Sequence, residues 1–287
     1  MLVYLNELEE IKITDKIFNI IKHEHLFEKE IFSLPINENV KMKKNKKVAT
    51  KLIKILKEEN ARKVVLSNNL FENEILLSTL KENRMDIIDG KLIYKILLPK
   101  IIEKICYYKN SKIEEEKITI LTDEYNEINK SNILVFSQNA KMLNIVTNFT
   151  NKFVTTANYL YEEFGILVKV SNNIRKDLLN SNIIINIDFN NDLINKYYIN
   201  TKAIIVNIPE EIKIKSKKFT GININSYNII IPEDYELNGF DNKHIYEAKI
   251  YNKSIAEMQK SIEEDEIKIK NFIGEKGIIN KKEFLDF

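Results

Sequence analysis

Six glycines, four prolines, one cysteine and no tryptophan are a thin supply for 287 residues. The lone Cys106, preceded by Ile101, Ile102 and Ile105, excludes an intrachain disulfide and a cysteine-built zinc site. Its apolar neighbours favour a buried structural thiol over a nucleophile. Charge of one sign is also missing: 44 Lys and Arg against 42 Asp and Glu leave a formal +2, which gives no global drive toward nucleic acid or an anionic membrane. No apolar run approaches the ~20 residues of a membrane span. The N-terminus turns acidic at Glu7, Glu9 and Glu10 before a signal-peptide core can develop, so the cytoplasm is the expected compartment. Phosphate-binding Walker loops, nucleophile elbows and paired cysteines are absent as motifs.

What is present is globular in kind, with 44% hydrophobic and 30% charged residues. The length suits two domains. Ile, Asn and Lys are abundant, a bias of an AT-rich coding sequence that weakens any single Asn or Lys as a functional signal. Val48, Leu52, Ile55 and Leu56 share one side of a helical period opposite Lys51, Lys54, Lys57 and Glu58. Val64 to Leu66 then predicts a strand, Leu70 to Leu80 a helix, Met85 to Ile88 a strand, and Lys91 to Tyr108 a helix with a kink or fresh start at Pro99.

From Ile118 an alternation of short apolar runs and helical stripes persists for about ninety residues. Strands are expected at 118–121, 143–147, 166–170, 183–187 and 203–208, and helices at 129–140, at Phe149 to Phe164 and, in short form, around Leu178 and at 193–197. Gly165 stands where a left-handed C-terminal cap belongs. Strands joined by crossovers predict a doubly wound, mainly parallel α/β sheet. Ile212 to Lys215 alternates as a strand, further short strands run from Ile222 to Ile231, and a helical stripe joins Ile255, Met258, Ile262, Ile269 and Ile273. The expected plan is an α/β domain over residues 1–115 and a Rossmann-like domain with a β-rich extension over 116–240. A helical tail over 241–287 completes it, packing across the two.

The span Leu143 to Ile208 resembles the nucleotide-binding domain of shikimate dehydrogenase and glutamyl-tRNA reductase relatives. In that family the first strand leads into a glycine-rich turn that lets the backbone approach the pyrophosphate. The segment Leu143-Asn144-Ile145-Val146-Thr147-Asn148-Phe149-Thr150-Asn151, matched to that strand and turn, has no glycine. The resemblance implies that Ser171-Asn172-Asn173, with Arg175 beyond, stand where NADP-binding relatives select the 2′-phosphate. It also implies that Asn186-Ile187-Asp188-Phe189 opens the loop facing the nicotinamide.

Ligands in open parallel sheets bind beyond the carboxyl ends of the strands. Thr147, Asn148, Ser171, Asn172, Asn173 and Asp188 are therefore expected to gather on one rim. Ser, Thr and Asn serve equally as helix caps and turn formers, and both readings stand. Asp188 is the candidate catalytic group, because a carboxylate after a buried run needs solvent, a partner or a ligand. Arg175 and Asn186 complete the candidate ligand-binding set. His23 and His25 flank Glu24 without an evident third metal ligand in a pattern that reads as helical. His244 has no adjacent nucleophile. Two lysine clusters, at Lys41, Lys43, Lys44, Lys46 and Lys47 and at Lys213, Lys215, Lys217 and Lys218, contain no arginine and read as solvated faces; the second is expected on a strand edge.

Two functions follow. One is a binding or regulatory protein on a dehydrogenase-like scaffold, taking a small molecule or a protein and requiring no metal. The other is an NADP-dependent or other nucleotide-using enzyme, with Ser171, Asn172 and Arg175 on phosphate and Asp188 assisting the chemistry. The helical tail suits an intramolecular strap and a homodimer contact equally.

Overall fold

The computed structural model describes residues 1–8, 10, 12–26, 29–36, 42–173, 176–208 and 211–287. In chain order the first elements are β1 (Leu2–Glu7), α1 (Ile13–Phe18), β2 (Lys22–Leu26), β3 (Lys29–Leu34), α2 (Met42–Glu58), β4 (Lys63–Leu66), α3 (Asn68–Phe71), α4 (Glu74–Glu82) and β5 (Asp86–Ile88). There follow α5 (Lys91–Lys109), β6 (Lys117–Leu121), α6 (Glu127–Asn139), β7 (Met142–Val146), α7 (Thr150–Phe164), β8 (Val168–Ser171), β9 (Ile183–Asn186), α8 (Asn191–Ile194), β10 (Ile204–Asn207) and β11 (Ile222–Ile230). The chain ends with α9 (Asn242–Ile250), α10 (Ile255–Glu264), β12 (Lys268–Gly274) and β13 (Gly277–Ile279). Among the described residues no helix is long and apolar enough to cross a membrane.

The chain forms two compact units, Met1–Gly90 with Ile231–Asn252, and Lys91–Ile230 with Lys253–Phe287. These divisions differ from the 115/116 and 240/241 boundaries read from sequence, for reasons of packing. Helix α5 buries nine of its nineteen residues. Its Tyr94 packs on Tyr227 at 4.3 Å and its Tyr108 on Phe284 at 5.3 Å, both of the second unit. Residues 231–252 return to the first unit, where Phe240 meets Tyr4 edge-on and His244 stacks on Phe71.

The first unit carries a five-stranded sheet in the order β2-β3-β1-β4-β5, parallel except for β2. Val3, Leu5, Phe32, Leu34, Val64 and Leu66 face a core closed by Val48, Leu52 and Leu56 of α2. His23 and His25 lie on strand β2 and not on the helix that the sequence suggested. A lone edge strand with all five side chains exposed has no alternating apolar face to betray it.

The second unit carries an eight-stranded sheet, β13-β12-β11-β10-β9-β6-β7-β8. From β8 to β11 every pairing is parallel. Counted from β6, that span has the order 3-2-1-4-5-6 of a doubly wound dinucleotide-binding fold. Strands β9 and β10 are fully buried Ile and Val runs, as a parallel sheet covered on both faces requires. The antiparallel pair β12 and β13 extends the sheet beyond β11. The double winding and the β-rich extension agree with the sequence reading.

Four local readings need correction. Ile212 to Lys215 is not a strand: the amides of Lys213 and Lys215 donate to the side chains of Asn191 and Asn195, and that of Ile212 to Asn225. Asparagine side chains take the place of a neighbouring strand. Ile269 and Ile273 lie on β12, so the helical stripe of the tail ends with α10. Ile222 to Ile230 is one strand with two register shifts against β12, and α5 runs unbroken through Pro99.

Candidate functional site

Strand order moves the origin of the fold. The first strand is β6, so the turn that would face a pyrophosphate is Thr122-Asp123-Glu124-Tyr125-Asn126, leading into α6, and not Thr147 to Asn151, which follows the second strand. That turn too has no glycine. It lies at the topological switch point, beside the segment that follows β9.

Asp188, two residues beyond β9, reaches across to the turn. Its carboxylate accepts the Asp123 amide at 2.8 and 3.0 Å, the Glu124 amide at 2.7 Å and the Thr122 hydroxyl at 3.1 Å. The backbone supports this approach, because the Ile187 amide donates to the Leu121 carbonyl at 2.9 Å. Burial pushes the Asp188 carboxyl above its ordinary range, against the downward pull of the two amides and the hydroxyl.

Asp123 in turn reaches toward β7. It accepts the Thr147 hydroxyl at 3.0 Å, the Asn148 amide at 2.7 Å and the Asn148 side-chain nitrogen at 2.7 Å. Thr147 Oγ1 also accepts the Phe149 amide at 3.0 Å, which fixes the turn ahead of α7. The other end of the turn is held by Glu124, which pairs with Lys95 at 2.5 Å. Two carboxylates thus tie together the ends of β9, β6 and β7.

The remaining candidates fall elsewhere. Ser171 and Lys169 both bond the buried Asp177, and the Asn173 amide donates to Ser171 Oγ and to Asp177 at 3.0 and 3.1 Å. Asn172 is exposed. Arg175 lies outside the described residues. Asn186 is fully buried in an amide ladder: its nitrogen donates to the Phe189 carbonyl and to Asn207, and its oxygen accepts the Phe189 amide. Both of its N–H groups are committed. Asn207 continues the ladder to Asn223 and Asn225.

Thr122, Asp123 and Glu124 were missed by the sequence reading. A signal existed in the buried run Ile118 to Leu121 with a Thr-Asp-Glu turn after it, but choosing the first strand required knowing the strand order. Among the described residues no cluster of three or more His, Cys, Asp or Glu is arranged to hold a metal ion. His23 and His25 share the Glu30 carboxylate at 2.5 and 2.9 Å, and these two bonds hold Glu30 below its usual range. His244 is buried on α9, and burial lowers its pKa. The open hollows among the described residues include one of about 670 Å³ over β1 to β3 and one of about 360 Å³ beside the β12–β13 turn. None of the rim residues lines either.

No protein-family model matches this sequence. No curated protein matches it. Among solved structures, L-tryptophan dehydrogenase from Nostoc punctiforme is 12% identical, covering 83% of this chain and 76% of its own, with a TM-score of 0.33. A putative aspartate carbamoyltransferase from Trypanosoma cruzi is 10% identical, covering 71% and 68%, with a TM-score of 0.24.

Proposed function

We propose that this chain is a binding or regulatory protein on a dehydrogenase-like scaffold, one that does not hold a dinucleotide at the switch point. One observation carries the reading: the amides that would meet a pyrophosphate already bond the Asp188 carboxylate. A phosphate entering there would have to displace that carboxylate and would meet Asp123 and Glu124 at close range. Like charges at such distances oppose each other strongly where solvent is partly excluded. The NADP-dependent alternative draws little support from Ser171, whose hydroxyl is engaged by Asp177.

Titration of the purified chain with NADP(H), NAD(H), ATP and S-adenosylmethionine tests the reading, with no saturable binding of any as the expected result. Saturable binding of NADP(H) or NAD(H) would overturn it. Asp188→Ala tests the role of the carboxylate itself. Leaving two amides and a hydroxyl without their acceptor is expected to cost about 1–3 kcal/mol, read as a lower melting temperature. Inorganic phosphate is expected not to restore it while Asp123 and Glu124 remain.

A further inference from the structure

Helix α2 carries seven lysines and one glutamate in its seventeen residues. At 3.6 residues per turn, Lys43, Lys46, Lys47, Lys51, Lys54 and Lys57 fall within roughly 140° of arc, and all six are exposed. Asn45, Val48, Ala49, Leu52, Ile53 and Leu56 fill the opposite side and are buried. Glu58, at the far end, is the one acid in the lysine arc.

The arrangement is costly for the helix. Lys43 and Lys44 stand in a first turn that has no acid, where the helix dipole repels cations. Lys43 lies three and four residues from Lys46 and Lys47, Lys47 four from Lys51, Lys51 three from Lys54, and Lys54 three from Lys57. Like charges at these intervals destabilise a helix. Other helices pair their lysines: Lys130 meets Glu127 on α6 at 2.7 Å, and Lys260 meets Glu264 on α10 at 3.4 Å. On α2 the bonds go to neutral groups, from Lys51 to the Asn19 carbonyl at 3.0 Å and from Lys57 to Asn83 Oδ1 at 2.9 Å. A compositional bias toward lysine does not account for the imbalance, because acids are nearly as abundant in the chain. Helix α4, packed beside α2, is balanced: Glu74 and Glu82 stand against Lys81 and, just past its end, Arg84.

An exposed aromatic ring stands at the border of this face. Phe18, the last residue of α1, is 67% exposed. Its neighbour Asn19 takes the left-handed conformation that ends α1, and the Asn19 carbonyl accepts Lys51 Nζ, which places the ring next to the lysine arc. A single exposed ring means little alone. Beside a basic face it supplies the apolar group that peripheral binders sink among lipid headgroups.

We infer that the lysine face of α2, with Phe18, docks on an anionic lipid bilayer. Charge complementarity selects the occupant: the ammonium groups from Lys43 to Lys57 line one side of about 21 Å of helix, where each is drawn to acidic headgroups. The small net charge of the whole chain does not oppose this, because at physiological salt a surface feels charges within about 8 Å. Nucleic acid recognition draws on arginine forks at phosphates and on aromatics that stack bases along a groove. Helix α2 is a convex ridge with no arginine and no aromatic residue. A bilayer asks only for several point charges on one side and gives the Phe18 ring an apolar layer to enter.

Sedimentation of the full chain with vesicles decides the matter. Wild type is expected to bind phosphatidylcholine vesicles that contain phosphatidylserine and not those of phosphatidylcholine alone. It should dissociate near about 1 M salt, where the screening length falls to about 3 Å. Lys47→Gln with Lys54→Gln is expected to lower the partition coefficient on the order of twentyfold, at about a factor of five per lysine. Lys43→Gln with Lys46→Gln should act alike, and Phe18→Ser should weaken binding with little change in its salt dependence. Lys217→Gln with Lys218→Gln, at exposed lysines of an irregular segment, is expected to bind as wild type does. Each α2 pair removes like-charge neighbours, so its melting temperature should not fall and lost binding reads on the face, not on the fold. Equal binding to neutral vesicles, no binding to acidic ones, or binding that survives both α2 pairs would overturn the inference. Displacement from the vesicles by single-stranded RNA would overturn it too, assigning the face to nucleic acid.

Discussion

At the residue scale, His244 gives the clearest consequence of burial. Its ring stacks on Phe71 at 4.9 Å, and burial holds its pKa below the ordinary 6.5. The unfolded chain therefore takes up this proton at a higher pH than the folded one. Stability is fully present above the unfolded value and is lost as the pH falls through the folded one. His244→Gln keeps a side-chain donor and removes the titration. Between about pH 7.5 and 5.5 the variant is expected to lose less of its melting temperature than the wild type. Parallel curves would show that His244 does not couple protonation to folding. Asp188 has the opposite sign: with its pKa raised by burial, its contribution is largest below the unfolded value and diminishes as the pH rises.

At the element scale, the α7 cap shows a reading that sequence made unaided. Gly165 follows the stripe Phe149, Phe153, Ala157, Leu160 and Phe164, and it adopts φ 68°, with its amide bonded to the Tyr161 carbonyl at 2.9 Å. A Cβ there would touch nothing within 4 Å, so the cost of Gly165→Ala is backbone strain alone. About 1 kcal/mol is expected in urea denaturation. A loss much above that would mean the glycine serves close packing as well. The same scale shows where period fails. Ile212 to Lys215 alternates like a strand, yet its amides bond asparagine side chains, and nothing local distinguishes the two partners. Ile269 and Ile273 sit four apart, a helical interval, and their β12 pairing with β11 comes from residues some forty positions earlier.

At the scale of the whole molecule, the near balance of charge argues against polyanion binding. Lys213, Lys215, Lys217 and Lys218 are all exposed, but on an irregular segment and not on a single strand face. DNA or RNA is expected to give no salt-dependent shift in an electrophoretic assay. A shift that weakens steeply with salt would show that the lysines act together. The division of the chain belongs to this scale as well. α5 and residues 231–252 each group with a unit that their place in the sequence would not suggest.

The sequence by itself determined the class of fold, because buried Ile and Val runs separated by helical stripes leave few arrangements other than a parallel sheet. It also determined the lack of a glycine turn, since no choice of first strand between Ile118 and Val146 supplies one. Only the tertiary structure decided which strand comes first, and with it that the turn at Thr122 to Asn126, and not Thr147 to Asn151, meets the Asp188 carboxylate. That pairing joins residues some sixty-five positions apart across the join between β6 and β9. Local period and propensity carry no record of such a contact; it exists only once the strands are set side by side.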